Sequence, residues 1–374
     1  MSSHFPDGLP AVSPATVAQI TRRLPEHGDI MVRVGSRVEP DDTIGQARVS
    51  PPPLFLNVAS ALKIAPGDVP RRVKRKPGER VMSQQLLAKR GGRRCLVPVQ
   101  GTIAAIDGET GFVIITPDPV PVTLPASVRG YVADVMPGRS ALIETAAAVI
   151  QGVFGIGGEQ FGVLRLLVTD RHDVITPEMI DARSAYALII GGAGITAEAL
   201  RKAQQEQVRG VIVGGIEQGA VQSFLQSASL GRPTGWYAYG QRNDVVPPTP
   251  TVLVTEGFGI HPMAEPLFEL LTRYDRQEAF LDGTTTLLPP VRRPRVVIPL
   301  PRLQGGQEPP PPRALQPGSV VRLVDERHLG MVGRVSAVSQ QGQLASGVRT
   351  PTATVQISER EMLVVPQTAL EVIG

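Results

Sequence analysis

Cysteine occurs once in the 374 residues, at Cys95, and this scarcity excludes two kinds of site. A single thiol cannot form an intramolecular disulfide, and it cannot build a metal site from several cysteines. One cysteine fits a reducing cytoplasm. Cys95 lies between Arg94 and the apolar pair Leu96 and Val97, which favours a buried strand residue over a nucleophile.

Aromatic residues and long apolar runs are also scarce. Aromatics make up 4% of the chain, so its cores must be filled by Val, Ile, Leu and Ala. The 39 glycines and 36 prolines predict many turns and short strands. No apolar run reaches the 18 residues of a membrane-spanning helix, and residues 1–7 lack the basic and apolar parts of a signal peptide. We therefore expect a cytoplasmic protein with no membrane span.

The excess positive charge is local. The whole chain carries a net charge of +4, but Lys63 to Arg94 contains eleven Lys/Arg against Asp68 and Glu79, a local +9. Such a patch is typical of contacts with nucleic acid or another polyanion. The alternative is a solvated rim, because the stretch has no aromatic residues on which bases could stack. The candidate contacts here are Arg71, Arg72, Lys74, Arg75, Lys76, Lys89, Arg90, Arg93 and Arg94.

Two pairs of segments repeat at fixed offsets. Gly35-Ser36-Arg37-Val38, followed by Ile44-Gly45, recurs 43 residues later as Gly78-Glu79-Arg80-Val81, followed by Leu87-Ala88. Residues 99–103 recur 29 residues later as residues 128–132. We expect Gly35, Gly78, Gly101 and Gly130 to sit in tight turns with positive φ. The spacing predicts one β module over about 73–116, with the outer segments forming a second module or an enlarged barrel around it.

The repeated segments resemble the barrel-sandwich hybrid fold of lipoyl and biotinyl carrier domains. The matching residues are Pro77 to Val81, Leu86 to Ala88 and Pro98 to Ile103. The carriers hold a modified lysine at a hairpin tip between the two halves. Here that place reads Lys89-Arg90-Gly91-Gly92-Arg93-Arg94, without the residues that flank a carrier lysine. The resemblance therefore implies the fold without a cofactor, in a structural or docking role.

Strand and helix patterns alternate from residue 163 onwards, which predicts a parallel sheet with right-handed crossovers. We expect a tail over 1–27 with a helix over 14–23, a β domain over 28–162 and an α/β domain over 163–286. A proline-rich linker over 287–316, with partner docking as its alternative role, and a small β domain over 317–374 would follow. Within the α/β domain the predicted helices are 196–207, 217–228 and 262–274, and the predicted strands are 163–168, 185–190, 211–213 and 252–254, with a last strand over 295–298.

Three loops, over residues 191–196, 214–217 and 255–261, follow predicted strands of the parallel sheet. They would meet at its carboxyl edge, where ligands bind in such sheets. Glycines at helix starts could hold an anion, and Glu256 and His261 could act as acid or base. The alternative is that paired glycines only permit tight turns, since the dinucleotide-binding spacing is absent. No catalytic residue or metal site stands out. The candidate ligand contacts are Asp170, Gly191, Gly192, Gly194, Thr196, Gly214, Gly215, Thr255, Glu256 and His261.

The C-terminal region resembles the KOW module, an SH3-like barrel of ribosomal and transcription-elongation proteins. The matching residues are Pro317 to Leu323, Asp325, Gly330 to Val335 and Val338. The resemblance implies contacts with RNA or protein through Arg322, Arg327, His328 and Arg334. The alternative is a barrel that only packs against the rest of the protein.

These observations predict a multidomain β plus α/β protein. The first hypothesis for function is a non-enzymatic scaffold or adaptor that binds a macromolecule, protein or nucleic acid, through its β domains. The second is a small-ligand-binding or enzymatic α/β domain that the flanking barrels regulate. A third is a self-assembling homo-oligomer.

Overall fold

The computed structural model describes residues 12–227, 249–285, 293–301, 315–323, 328, 330–358 and 361–372. Strands dominate the fold and form several sheets, of which the largest is a mixed sheet of eleven strands, called here the main sheet. Among the described residues, none of the helices has the length and hydrophobicity that spanning a bilayer requires.

The N-terminal half of the chain is almost entirely strands. Its elements are β1 Val12–Arg23, β2 Gly28–Ile30, β3 Arg37–Val38, β4 Thr43–Val49, β5 Leu54–Asn57, α1 Val58–Leu62, α2 Val69–Arg72, β6 Arg80–Val81, β7 Leu86–Arg90, β8 Arg93–Leu96, β9 Gly101–Ile106, β10 Phe112–Pro117, β11 Val120–Pro125, β12 Gly130–Met136 and β13 Ser140–Gln151.

The C-terminal half contains the longer helices and a last group of strands. Its elements are β14 Phe154–Ile156, β15 Glu159–Leu166, β16 Val174–Ile175, β17 Leu188–Ile190, β18 Gly194–Ile195, α3 Ala197–Gln205, β19 Gly210–Ile216, α4 Gln218–Ser227, β20 Thr251–Phe258, α5 Glu265–Arg273, β21 Glu278–Asp282, β22 Arg295–Pro299, β23 Val320–Leu323, β24 Val332–Gln343, β25 Arg349–Ser358, β26 Glu361–Pro366 and β27 Leu370–Val372.

The helix predicted over 14–23 is wrong, because this segment is strand β1, antiparallel to β13. Thr16, Ala18, Ile20 and Arg22 are buried while the residues between them are exposed or partly exposed, which is the period of two of a strand with one covered face. The Ser-Pro sequence that resembles a helix start is a weak local signal. Pairing with a strand more than a hundred residues away overrides it.

The repeated segments build two modules, one nested inside the other. In the outer module, residues 28–49 and 120–136, β4 pairs with β11 and places Gly45 opposite Leu124. In the inner module, residues 50–119, β7 pairs with β8 and places Ala88 opposite Cys95. The two pairings differ by the same offsets, 43 and 29, as the sequence repeats. The inner module is thus inserted between β4 and β11, and its hydrophobic core is separate from the core under the outer module.

The four glycines of the repeats serve two different purposes. Gly35 and Gly78 have φ of +85° and +88°, as the sequence predicted. Gly101 and Gly130 do not have positive φ, so that part of the prediction is wrong. A Cβ on Gly101 would lie 2.2 Å from the carbonyl oxygen of Thr116, and one on Gly130 would lie 2.4 Å from that of Glu144. These two glycines let a neighbouring strand approach closely.

Four parallel strands, in the order β15, β17, β19 and β20, form the α/β part of the main sheet. Helices α3 and α4 pack on one face, against Ile189 and Val211, and α5 packs on the other, against Leu188 and Ile212. The sheet continues from β15 through β21 and β22 to β13, β12 and β3. The parallel strands and the outer module therefore share one sheet across residue 163, where the sequence suggested a domain boundary.

The C-terminal strands form a separate antiparallel sheet in the order β26, β25, β24, β23 and β27, with its own core. Part of the predicted linker, residues 293–301, contains β22 and belongs to the main sheet. The linker's proline run at 309–312, and Arg327, lie outside the described residues.

Candidate nucleic-acid interface

The three loops predicted to meet at the carboxyl edge of the parallel strands do meet there. Gly214 N–H donates to the Gly192 carbonyl at 2.8 Å. Gly215 N–H and His261 N–H both donate to the carbonyl of Ala193, each at 3.1 Å. The loops are therefore hydrogen-bonded to one another through their backbones.

The glycines of these loops are surrounded by backbone atoms. A Cβ on Gly192 would lie 2.7 Å from the carbonyl oxygen of Asp170, and one on Gly214 would lie 2.1 Å from that of His261. A Cβ on Gly215 would lie 2.2 Å from a carbonyl oxygen, and one on Gly191 would lie 2.6 Å from the Ile175 side chain. Gly194 is less crowded, at 3.3 Å from its nearest neighbour. The paired glycines thus let the loops pack together, which is the alternative that the sequence left open.

The polar side chains at this edge already have partners within the protein. The hydroxyl of Thr196 caps α3 by accepting from Ala199 N–H at 3.1 Å, and the hydroxyl of Thr255 donates to the Val213 carbonyl at 3.4 Å. His261 Nε2 lies 2.6 Å from the Phe258 carbonyl oxygen. The carboxylate of Asp170 lies 2.6 Å from the ring of His172. Hydrogen bonds from the backbone N–H and the ring of His172 lower the pKa of the Asp170 carboxyl.

The C-terminal sheet docks onto this edge through Arg322 and Glu256. Arg322 is 7% exposed, donates to the Thr255 carbonyl at 2.8 Å and pairs with Glu256 at 3.1 Å. Glu256 also accepts from Ala264 N–H, at the start of α5, at 3.0 Å. Arg322, expected as a surface contact for a partner, is thus buried between two parts of the chain. Arg334 is exposed and donates to the Gly318 carbonyl at 3.1 Å.

The basic residues predicted over 71–94 lie on the surface of the inner module, on and around helix α2 and the β7–β8 hairpin. All nine are exposed. Val73 forms an antiparallel bridge with Ala88, a register that brings Arg72 next to Lys89 at the start of the β7–β8 hairpin. Within the hairpin, Lys89 lies opposite Arg94 and Arg90 opposite Arg93.

Most of these cations lack an acidic partner. Of the eleven Lys/Arg in the inner module, only Arg75 and Arg80 have a carboxylate within 4 Å among the described residues, from Glu79 at 3.5 Å and Asp118 at 2.5 Å. Lys63 is exposed and its carbonyl accepts a hydrogen bond from Arg90, which joins it to the group. We call the remaining nine the basic face: Lys63, Arg71, Arg72, Lys74, Lys76, Lys89, Arg90, Arg93 and Arg94.

The inner module holds more than the whole net charge of the protein. Eleven Lys/Arg and five Asp/Glu give it a net charge of +6, while the other residues carry 27 basic and 29 acidic side chains. Cations that are exposed and unpaired raise the local concentration of anions around them. The basic face can therefore bind a polyanion without first breaking an internal ion pair.

Cys95 contributes structure to the inner module rather than reactivity. It is buried in the module's core, and burial raises the pKa of its thiol. At neutral pH it is therefore a protonated core residue, in agreement with the prediction of a buried strand position.

A cavity of about 230 Å³ lies between the outer module and the amino ends of the parallel strands, and no sequence pattern indicated it. Its walls come from chain segments far apart in sequence, including Pro40, Val128, Phe161, Arg209 and Phe280. No local motif joins these segments, so only the fold reveals the cavity.

The described residues contain no group of three or more His, Cys, Asp or Glu side chains that could hold a metal ion.

Comparisons with known proteins assign neither a family nor a relative. No protein-family model matches the chain, and no curated protein matches it in sequence.

Proposed function

We propose that this chain is a non-enzymatic adaptor that binds nucleic acid through the basic face of the inner module. The observation that carries the proposal is the set of nine exposed Lys/Arg side chains with no carboxylate within 4 Å in the described part of the chain. They lie on a module with its own core, inserted between two strands of the outer module.

Contact with the phosphate backbone is the mode of binding that these residues support. The stretch from Lys63 to Arg94 has no aromatic side chain on which a base could stack. Lysine and arginine that contact phosphates give affinity without sequence preference, and the affinity falls steeply with salt. We expect weak discrimination between sequences.

The finer fold assignments belong to the same proposal. Both nested modules would be of the barrel-sandwich hybrid type, which the pairing of their repeated halves supports. The arginine-rich hairpin β7–β8 then occupies the place where a carrier domain holds its lysine. The C-terminal sheet would be a KOW-like, SH3-like barrel, which its five antiparallel strands support, and it offers Arg334 as a further contact.

A small-ligand site at the carboxyl edge of the parallel strands is less favoured. The loops there pack backbone against backbone, and the carboxylate of Glu256 is already paired with Arg322.

The proposal is tested by fluorescence anisotropy with labelled 20-nucleotide single-stranded and double-stranded probes in 50 mM NaCl. We expect saturable binding of the unmodified protein, weakened roughly a hundredfold by the hairpin variant K89Q/R90Q/R93Q/R94Q. The control R23Q/R33Q/R139Q/R349Q loses the same charge from exposed positions outside the inner module and should retain most of the affinity. Absence of binding at this ionic strength, or equal losses in the two variants, would overturn the proposal.

A further inference from the structure

The cavity between the outer module and the main sheet is lined by both apolar and charged residues. Phe161, Val163 and Pro299 supply its accessible apolar wall, whereas Val128 and Phe280 are each only 1% exposed. Arg129 and Arg209 reach the same cavity, as do Asp41 and Glu278. Its volume of about 230 Å³ exceeds the roughly 150 Å³ of an apolar cavity that takes up benzene.

The two arginines of the cavity differ in what they already bind. Arg129 pairs with Glu39 at 2.8 Å and with Glu278 at 3.1 Å, so its charge is balanced. Arg209 donates to the Phe161 carbonyl at 2.7 Å and has no carboxylate within 4 Å in the described ranges. An arginine has five N–H donors. The guanidinium of Arg209 therefore retains donors and an unbalanced charge for a ligand.

Two aromatic rings hold the guanidinium of Arg209 in place. Its central carbon lies 4.7 Å from the centre of the Phe161 ring and 5.5 Å from that of Tyr186. Stacking of this kind fixes the plane of the guanidinium and leaves its edge free for hydrogen bonds.

The backbone around Tyr186 is strained to hold this arrangement. Tyr186 has φ of +61°, a conformation that non-glycine residues rarely adopt. Its N–H and its hydroxyl both bond to Gln207, at 3.0 and 2.7 Å. A Cβ on Gly162 would lie 2.8 Å from the Tyr186 carbonyl oxygen, so glycine is needed beside it. Strain of this kind persists where the surroundings enforce it, and it is concentrated at functional sites.

We propose that this cavity binds a small organic carboxylate, with the carboxylate on Arg209 and an apolar body of about one ring against Val163 and Pro299. A guanidinium that is fixed in plane and keeps free donors matches the two oxygens of a carboxylate. The apolar wall matches a ring with a short chain. This site lies outside the inner module and is independent of the nucleic-acid proposal.

The test compares 3-phenylpropionate with its uncharged amide, 3-phenylpropanamide, by ligand-observed NMR titration of the full chain. We expect the acid to bind at least tenfold more tightly than the amide, as a charged hydrogen bond to Arg209 requires. Equal binding of the two compounds, or binding of neither, would contradict the assignment without the need for any variant.

Three variants locate the binding. Arg209→Gln should weaken the acid at least tenfold and bring it to the level of the amide. Arg183→Gln removes a guanidinium that is 87% exposed and does not line the cavity, so it should change nothing. Val163→Trp enlarges a half-exposed side chain of the cavity lining, which should fill the cavity and abolish binding of both compounds. The hairpin variant K89Q/R90Q/R93Q/R94Q should bind the acid normally. If the hairpin variant loses the acid instead, the basic face is its binding site and the cavity is not.

Discussion

The outer and inner modules use the same backbone hydrogen bonds at equivalent positions. Gly35 N–H donates to the Val132 carbonyl and Gly78 N–H to the Ile103 carbonyl, both at 2.8 Å. The correspondence extends to residues that the repeats do not share, since Met31 bonds to Ile44 at 2.8 Å and Lys74 to Leu87 at 3.0 Å. The comparison shows that this backbone needs few fixed side chains beyond its turn glycines and its small core residues.

The two modules differ at the end where the hairpin lies. Near the turn glycines, each module has one carboxylate that binds two side chains. In the outer module Glu39 pairs with Arg37 and Arg129. In the inner module Asp118 binds Arg80 and Gln100. At the other end, the outer module continues into the inner module. The inner module ends in the hairpin with four unpaired cations. The outer module therefore anchors the chain in the main sheet, and the inner one presents charge.

The largest expected effect comes from the glycines at which neighbouring strands approach closely. Gly130→Ala and Gly101→Ala should each lower the free energy of unfolding by about 2–4 kcal/mol, because a Cβ would collide with a backbone carbonyl. Hydrogen exchange with mass spectrometry should locate the first effect in β12 and β13 and the second in the inner module. Faster exchange across β13 in Gly101→Ala would show that the modules do not have separate cores.

Cysteine reactivity tests whether equivalent core positions are equally closed. Burial raises the pKa of the Cys95 thiol, so iodoacetamide at pH 7.5 should modify it about a hundredfold more slowly in the native protein than in the unfolded chain. Leu124→Cys places a thiol at the equivalent buried position of the outer module and should be protected as well. A cysteine at Leu96, which is 41% exposed, is the reactive control. Rapid modification of Cys95 would show that the inner core is open.

Ionic strength should affect the two modules differently. Salt screens the repulsion among the nine cations of the basic face, so raising NaCl from 20 to 300 mM should stabilise the inner module by about 1 kcal/mol. Amide exchange in β9 and β10 should slow several-fold, while exchange in β13 stays nearly constant. An equal change in both regions would mean that the charge of the basic face is not concentrated enough to matter.

The smallest expected effect comes from exchanging an equivalent polar residue. Arg129→Gln installs the residue type that the inner module has at position 100. Because Arg129 is half exposed, the loss of its ion pairs should cost at most about 0.5 kcal/mol in urea unfolding. Nucleic-acid affinity should be unchanged. A loss of affinity comparable to that of the hairpin variant would extend the interface to the outer module.

The nested modules could be predicted from the sequence because the patterns that indicate them are local and repeated. Gly35 and Gly78, which both have positive φ, mark the same turn in the two modules. The offsets, 43 for the first halves and 29 for the second halves, place the inner module between the two halves of the outer one. Strand β1 was missed because its partner lies in β13, far along the chain, while Ser13 and Pro14 resemble a helix start. The alternation of Thr16, Ala18, Ile20 and Arg22 was the signal that could have identified it.

The candidate sites were predictable to different degrees for a similar reason. The basic face follows from a run of charges within 32 residues, so it survives folding as an exposed cluster. Paired glycines after strands indicate that another group packs closely against them, but they do not indicate whether that group is a ligand or protein. At Gly192, Gly214 and Gly215 the group is the backbone of a neighbouring loop. The partner of Arg322 depends on how the C-terminal sheet docks, which no local pattern encodes.

The most direct test of the central claim is the salt dependence of nucleic-acid binding in the unmodified protein and in K89Q/R90Q/R93Q/R94Q. Each phosphate contact adds about 0.9 to the slope of log K against log salt for duplex DNA, so the variant should have a slope lower by about 3–4. The control R23Q/R33Q/R139Q/R349Q should keep the slope of the unmodified protein. Equal slopes for the unmodified protein and the hairpin variant would contradict a nucleic-acid interface on the inner module.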